Sequence, residues 1–385
     1  MQIIWALFGV ALAISISVPF VNQYLQELLG LNLGFVYILS SSLAGLIFAL
    51  QFRWSINIRH FLLFCSLGIF FFINIGSDLT NGFISVLIGL SLCLPFLKNN
   101  IPPVFLKSLV FGLLIFSCLF FLLIITDSRL LDLVNLKTRM AMGNSPISIA
   151  IIAAVSALIC SYHLRTDSHF KKIFLILMAT FFVTAILYSG SRGPLLALFI
   201  IFFLQLVRSG KIFLVSIMSV LASFAGLFIL SIRENYTDSS SSRILLYQEA
   251  LRIASDSPLG GFYIGKYNNL TGKPFPHNFF LEIWIDFNIF FLLIFLTITL
   301  YVIYQRYTFL YKSKSLRSNL VIDIYLLIFI CCQVSLPSTE MLRVLLPLLF
   351  ISLCCIGLEK RKVKKLDGKN ENRNSRYSGK FNIWV

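Results

Sequence analysis

The sequence predicts an all-α integral membrane protein of about twelve transmembrane helices, with one large outer loop that itself contains helix. Three observations carry this. Of the 385 residues, 58% are hydrophobic and only 12% charged, whereas a soluble domain is roughly half apolar and about a quarter charged. The mean hydropathy is +0.88. The 39 Phe residues are spread over many apolar runs, more bulk than one soluble core can bury. Lipid must therefore be the solvent for most of the chain, and in lipid the backbone satisfies its own polar groups by forming helix.

A span needs about 20 apolar residues. Cut at charged and Gly/Pro/Asn segments, the chain gives spans near 2–22, 31–50, 61–75, 82–97, 104–125, 146–163, 172–189, 194–208, 211–231, 278–303, 321–337 and 343–358. No basic residue precedes the first run and no small-residue cleavage site clearly follows it, so it reads as a retained span. Residues 1–358 thus form a polytopic domain, and 359–385 a basic cytoplasmic tail.

Lys and Arg orient the chain. With both termini cytoplasmic, 22 of the 32 basic residues lie inside and 10 outside, which satisfies the positive-inside rule. The net charge of +16 is then mostly topology, and the basic tail suits anionic membrane lipid better than nucleic acid. All eight Cys fall within predicted spans and read as small buried hydrophobes.

Two outer segments exceed what a connection requires. Residues 126–145 carry Arg129, Lys137 and Arg139, then run Met-Gly-Asn-Ser-Pro into the next span. Residues 232–277 form the largest loop, of a length that is usually functional or disordered. After a Ser run at 239–242, its residues 242–255 follow a helical period. Gln248, Glu249, Arg252 and Ser255 share a polar arc, with Ile244, Tyr247, Ala250, Leu251 and Ala254 opposite. Arg252 pairs readily with Glu249 in solvent. Arg243 falls in the middle of the apolar arc, where an unpaired guanidinium is costly. It needs an anion, either a structural carboxylate or a bound ligand.

Of four His residues, only His277 lies outside, in Pro-Phe-Pro-His-Asn at the mouth of the tenth span. Glu282 and Asp286 follow on the same predicted helix, and ionisable groups at membrane depth are functional by default; hydrogen bonding to another span is the plainer alternative. Ser-Gly-Ser-Arg-Gly at 189–193 is a tight outer turn with Pro194 starting the next helix. Arg192 therefore stands at a helix N-terminus, against the helix dipole, and an anionic partner explains it better than helix stability does.

The chain has no Asp-x-Asp pair for a metal–nucleotide sugar, no phosphate-binding Gly loop and no metal-ligand spacing. No cofactor is expected. A substrate activated beforehand and presented in the membrane, such as a lipid-linked diphosphate, suits outward-facing cations. A transporter or lipid-linked glycan flippase would instead show internal repeats and charges spread over several spans.

Ser-Arg-Gly-Pro (191–194), Ser-Arg-x5-Glu-Ala-Leu (242–251) with Ser-Pro-Leu-Gly-Gly (257–261), and Pro-His-Asn-Phe-Phe-Leu-Glu (276–282) occur in that order. Together they resemble the bacterial O-antigen ligase/polymerase superfamily. Arg139-x3-Gly-Asn-x-Pro also looks like that family's preceding outer loop. The resemblance implies a metal-independent, GT-C-like membrane glycosyltransferase at the periplasmic face of the bacterial inner membrane, acting on an undecaprenyl-diphosphate-linked glycan. By position, Arg192 and Arg243 would bind the donor diphosphate and His277 would serve as base for the acceptor hydroxyl, with Arg139, Glu282 and Asp286 supporting. A chain-length regulator is a conceivable partner. Ligases of this superfamily typically carry Gly eleven residues after the His, where this chain has Asn288, and a small residue or Tyr three further on, where it has Phe291. That departure favours a polymerase, with a ligase transferring glycan to lipid A core as the alternative.

Overall fold

The computed structural model describes residues 1–29, 33–51, 58, 60–65, 81–97, 101–126, 146–164, 169–188, 191–208, 237–257, 259, 266–272, 278–309, 316–331 and 338–378. The described residues are helical apart from turns and caps. In chain order the helices are α1 (Gln2–Leu29), α2 (Gly34–Gln51), α3 (Asn81–Cys93, continued by a tight turn Leu94–Leu97), α4 (Pro103–Thr126), α5 (Pro146–His163), α6 (His169–Tyr188) and α7 (Arg192–Arg208). They continue with α8 (Thr237–Asp256), α9 (Lys266–Thr271), α10 (Phe279–Asp286), α11 (Ile289–Tyr304, extended by a π turn Gln305–Phe309), α12 (Leu316–Cys331) and α13 (Ser338–Ser378).

Six described helices are long and apolar enough to cross a membrane: Gln2–Val21, Gly34–Gln51, Pro103–Thr126, His169–Leu187, Ile289–Thr308 and Glu340–Lys362. Val86–Leu97, Ile147–His163 and Gly193–Val207 are apolar but shorter. The chain is thus an all-α membrane protein. The predicted span 211–231 and most of 61–75 lie outside the described residues.

Apolar packing gives no preference for protein over lipid, so close approach at small residues and polar cross-links hold such helices together. α1 meets α4 at glycines: a Cβ on Gly9 would stand 2.9 Å from the Phe105 carbonyl oxygen, and one on Gly112 2.9 Å from the Ala13 Cβ. Trp5, Phe8, Phe96 and Phe105 interlock beside this seam, with the Trp5 and Phe105 ring centroids 5.3 Å apart. Hydroxyls join Ser15 to Ser40 at 2.8 Å and Ser41 to Ser91 at 2.9 Å. α5, α12 and the stretch 341–356 of α13 are apolar on nearly every face and almost wholly buried, as expected of central helices. The side of α6 bearing Phe170, Ile173, Phe174 and Leu177 is exposed, ready for lipid. The described cysteines carry free thiols. Buried His60, predicted at a span end, is held by the Phe96 carbonyl oxygen at 3.0 Å from Nδ1.

The largest departure from the sequence reading is the span predicted over 278–303. It is two helices, α10 and α11, folded back on each other. In one straight helix residues 279 and 295 would be about 24 Å apart, yet the rings of Phe279 and Phe295 lie 5.9 Å centroid to centroid. The reversal occurs at Asn288, whose φ of 143° is the one positive value among described non-glycine residues. Hydropathy cannot register a single backbone angle, so the run looked continuous.

Candidate functional site

The fold-back places the start of α10 inside the bundle. Phe280 packs on Phe329 of α12 at 5.5 Å between centroids, and Phe295 of α11 packs on the same ring at 6.0 Å. Asn278 caps α10, its Oδ1 accepting from the N–H groups of Phe280 at 3.1 Å and Leu281 at 3.2 Å. The Asn of Pro-His-Asn is therefore the helix cap, a favoured residue there because its short side chain reaches those free N–H groups. His277 immediately precedes this cap and itself lies outside the described residues, as does Arg139.

The long loop is fastened to α10 and to the reversal at three points. Ala250, Ile253 and Ala254 of α8 bury against Leu281, Trp284 and Ile285, with Tyr267 of α9 completing the cluster. The Ile289 N–H donates to the Leu259 carbonyl oxygen at 3.2 Å, so the Ser-Pro-Leu-Gly-Gly stretch satisfies a free donor at the start of α11. The Tyr267 N–H donates to Asp286 Oδ1 at 3.4 Å. Asp286 is buried, and this contact gives it a structural task, tying the loop to α10. Glu282 is buried on the same helix.

The loop helix starts at Thr237, five residues before the predicted start, so the Ser run at 239–242 belongs to it. Its inward arc holds Ala250, Ile253 and Ala254, while Ile244 and Leu251, expected on that arc, are exposed. The apolar face is narrower than composition suggested because α10 is a single short helix. Arg243 stands two turns before Ala250 on the same helical arc, by register. Arg192 is the first residue of α7, as the turn at 189–193 predicted. α7 packs against α5, α6 and α12, whereas α8 packs on α10. The structure thus joins the helix of Arg243 to the helix preceded by His277, while α7 packs on α12, which also carries Phe329 against α10 and α11.

Asn288 keeps the backbone angle that glycine adopts without strain. Its Oδ1 accepts from the Phe291 N–H at 2.9 Å and caps α11. The position that departs from the ligase pattern is therefore the reversal itself, and Asn preserves its path. Asn288→Gly is expected to leave the thermal unfolding midpoint within a few degrees, since relief of strain offsets the lost cap. Asn288→Val, unable to cap and poorly tolerant of positive φ, should cost about 1–3 kcal/mol, read as a lowered midpoint in detergent.

Sequence reasoning missed two clusters. Arg343, in the first turns of α13, lies over the Tyr37 ring at 4.0 Å from guanidinium carbon to centroid, a cation–π contact; α13 also touches α10. A cation placed one turn inside an apolar span was the available signal. The second cluster joins four helices. Arg306 donates to Asp323 through two nitrogens, Nε to Oδ1 and Nη2 to Oδ2, each at 2.8 Å. Its Nη2 also donates to the Tyr162 hydroxyl at 2.8 Å, and that hydroxyl donates to Asp323. Gln205 donates to Asp323 at 2.8 Å and to Tyr162 at 3.1 Å. All but Gln205 are buried. Arg306 forms an interior ion pair because the π turn after α11 swings it between helices. Asp323, a carboxylate inside a predicted span, was its only sequence trace.

This cluster gathers the C-terminal ends of α5 and α7, the end of α11 and the N-terminal part of α12. The start of α7 therefore lies about 20 Å from it, and the start of α10, level with Phe295, roughly 16 Å along α11. Among the described residues, no three His, Cys, Asp or Glu side chains gather as metal ligands.

No curated protein matches the chain. Residues 173–296 match the family model described as O-antigen ligase, a stretch that spans α6 to the middle of α11 and includes Arg192, Arg243, the Pro-His-Asn segment and the reversal at Asn288. That matched stretch, with its ordered motifs carried on this helical frame, is similar to the O-antigen ligase family over about a third of the chain.

Proposed function

We propose that this protein is a polymerase-type membrane glycosyltransferase that joins undecaprenyl-diphosphate-linked glycan units at the periplasmic face of the inner membrane. The observation that carries the reading is the docking of the Arg243 helix on the helix that His277 precedes. Both termini are then cytoplasmic, and the Arg306–Asp323 end of the bundle faces inward. About twelve spans in a GT-C-like arrangement complete the bundle.

In this reading the bond between the anomeric carbon of the donor sugar and the diphosphate oxygen breaks, and the acceptor hydroxyl bonds to that carbon. Its proton passes to His277, acting as a neutral imidazole. Arg192 and Arg243 hold the leaving diphosphate, where two planar guanidiniums match its oxygens better than ammoniums do. Their effect is greatest as charge accumulates on the leaving group. Arg139 adds a further positive charge, while Glu282 and Asp286 hold α10 and its loop. The chemistry needs no metal. Membrane lipid surrounds the site, and a chain-length regulator is its natural protein partner.

A ligase is the second reading, favoured by the glycine-like backbone kept at Asn288. A flippase is the third. Deletion of the gene separates them through the surface polysaccharide. Single repeat units on lipid A core are expected here. Long chains stranded on undecaprenyl diphosphate would instead establish the ligase, and units retained on the cytoplasmic side the flippase.

A further inference from the structure

We infer that the Tyr162–Gln205–Arg306–Asp323 cluster is a positioning device for the outer site: it sets the axial register of the helix carrying Arg192 against the helix pair that follows His277. The inference rests on the glycosyltransferase reading above. α7 packs on α5, α6 and α12, while α10 and α11 pack on α12 through Phe280 and Phe295. The cluster is where they are bonded into one unit. Gln205 of α7 and Arg306 after α11 converge on the same two atoms, Asp323 Oδ2 and the Tyr162 hydroxyl.

The chemistry of the cluster argues for register over adhesion. A buried ion pair is often no more stabilising than apolar side chains of the same volume, and its best-attested use is to specify one arrangement among several. Apolar side chains slide past one another in lipid with little penalty, whereas a two-nitrogen guanidinium–carboxylate pair tolerates no shift of a helical turn. The helix also leaves ideal geometry to present Arg306, through the π turn Gln305–Phe309, an irregularity common at functional sites. Thr299 and Tyr325, bonded at 2.6 Å, extend the same α11–α12 register one step towards the site. Helices transmit such a setting as rigid rods, so a slip at residue 205 is a slip at Arg192.

The test is a double-mutant cycle on the purified full-length protein. The donor is the repeat unit linked to undecaprenyl diphosphate, extracted from the deletion strain, and the readout is kcat/KM with the unfolding midpoint measured alongside. Gln205→Met removes the tie from α7 and leaves the Arg306–Asp323 pair intact. It is expected to lower kcat/KM about tenfold in the wild-type background and less than about threefold in an Arg192→Lys background, since sites this far apart otherwise add to within about twofold. Tyr162→Phe carries the same cycle should Gln205→Met fail to accumulate. Equal losses in both backgrounds, or no loss at all, overturn the inference while leaving the Arg192 assignment standing. Full activity of Arg192→Ala overturns the assignment and the inference together.

Discussion

Arg192→Ala and Arg243→Ala are each expected to lower polymerisation by roughly 10- to 150-fold, the rate equivalent of one charge-assisted contact of about 1.5–3 kcal/mol. His277→Ala should lower it by about 10²- to 10⁴-fold, the usual contribution of a general base. The measurement is the length distribution and rate of glycan formed on undecaprenyl diphosphate by purified protein. The three variants should also differ in kind. Lys at 192 or 243 should recover part of the loss, because charge is restored without the planar fork. At 277 no such partial rescue is expected from Gln, which accepts a hydrogen bond but takes up no proton. Full activity in all three alanine variants, at normal protein levels, would remove the site from where it is put here.

The second large effect concerns folding. Arg306→Leu leaves Asp323, fully buried, without its counter-ion, and truncating one partner of such a pair costs about 3–5 kcal/mol. Single domains are stable by only about 5–15 kcal/mol, so this variant should accumulate poorly or unfold at markedly lower temperature in detergent. Asp323→Leu should do the same from the other side. The double variant Arg306→Leu/Asp323→Leu should recover much of the stability, since both desolvated charges are gone. Its recovery in folding without recovery in turnover would separate the cost of a lone charge from the loss of register. Double and single variants that unfold alike would show that the pair itself supplies stability.

The local frame around the proposed site could be read without coordinates. Arg192 at a helix start follows from a Gly-flanked turn followed by Pro, local chemistry that is the same in any fold. The loop helix that carries Arg243 follows from periodicity, although its buried arc proved narrower than composition suggested. The two carboxylates of α10 were read as buried, but not for what: Asp286 accepts a backbone N–H from the loop, a partner 19 residues away that no local pattern names. The Arg306–Asp323 pair was not legible, because charge counting sees a residue and its nearest run, never the carboxylate a π turn delivers it to.

By itself, the sequence determined that the chain lies in lipid, is helical, and carries three cationic or proton-accepting motifs in a fixed order. Each of those depends on interactions spanning a few residues or on bulk transfer of apolar surface. Tertiary structure alone decided that 278–303 reverses at Asn288, that the loop is tied to the reversed helix, and that an Arg306–Asp323 ion pair joins α11 to α12 with Gln205 of α7 bonded to it. The reason is physical: hydropathy measures how much surface prefers lipid, and that quantity is the same for one straight span and for two helices folded together. The difference lies in one backbone angle and a few hydrogen bonds between distant residues, which only packing brings together.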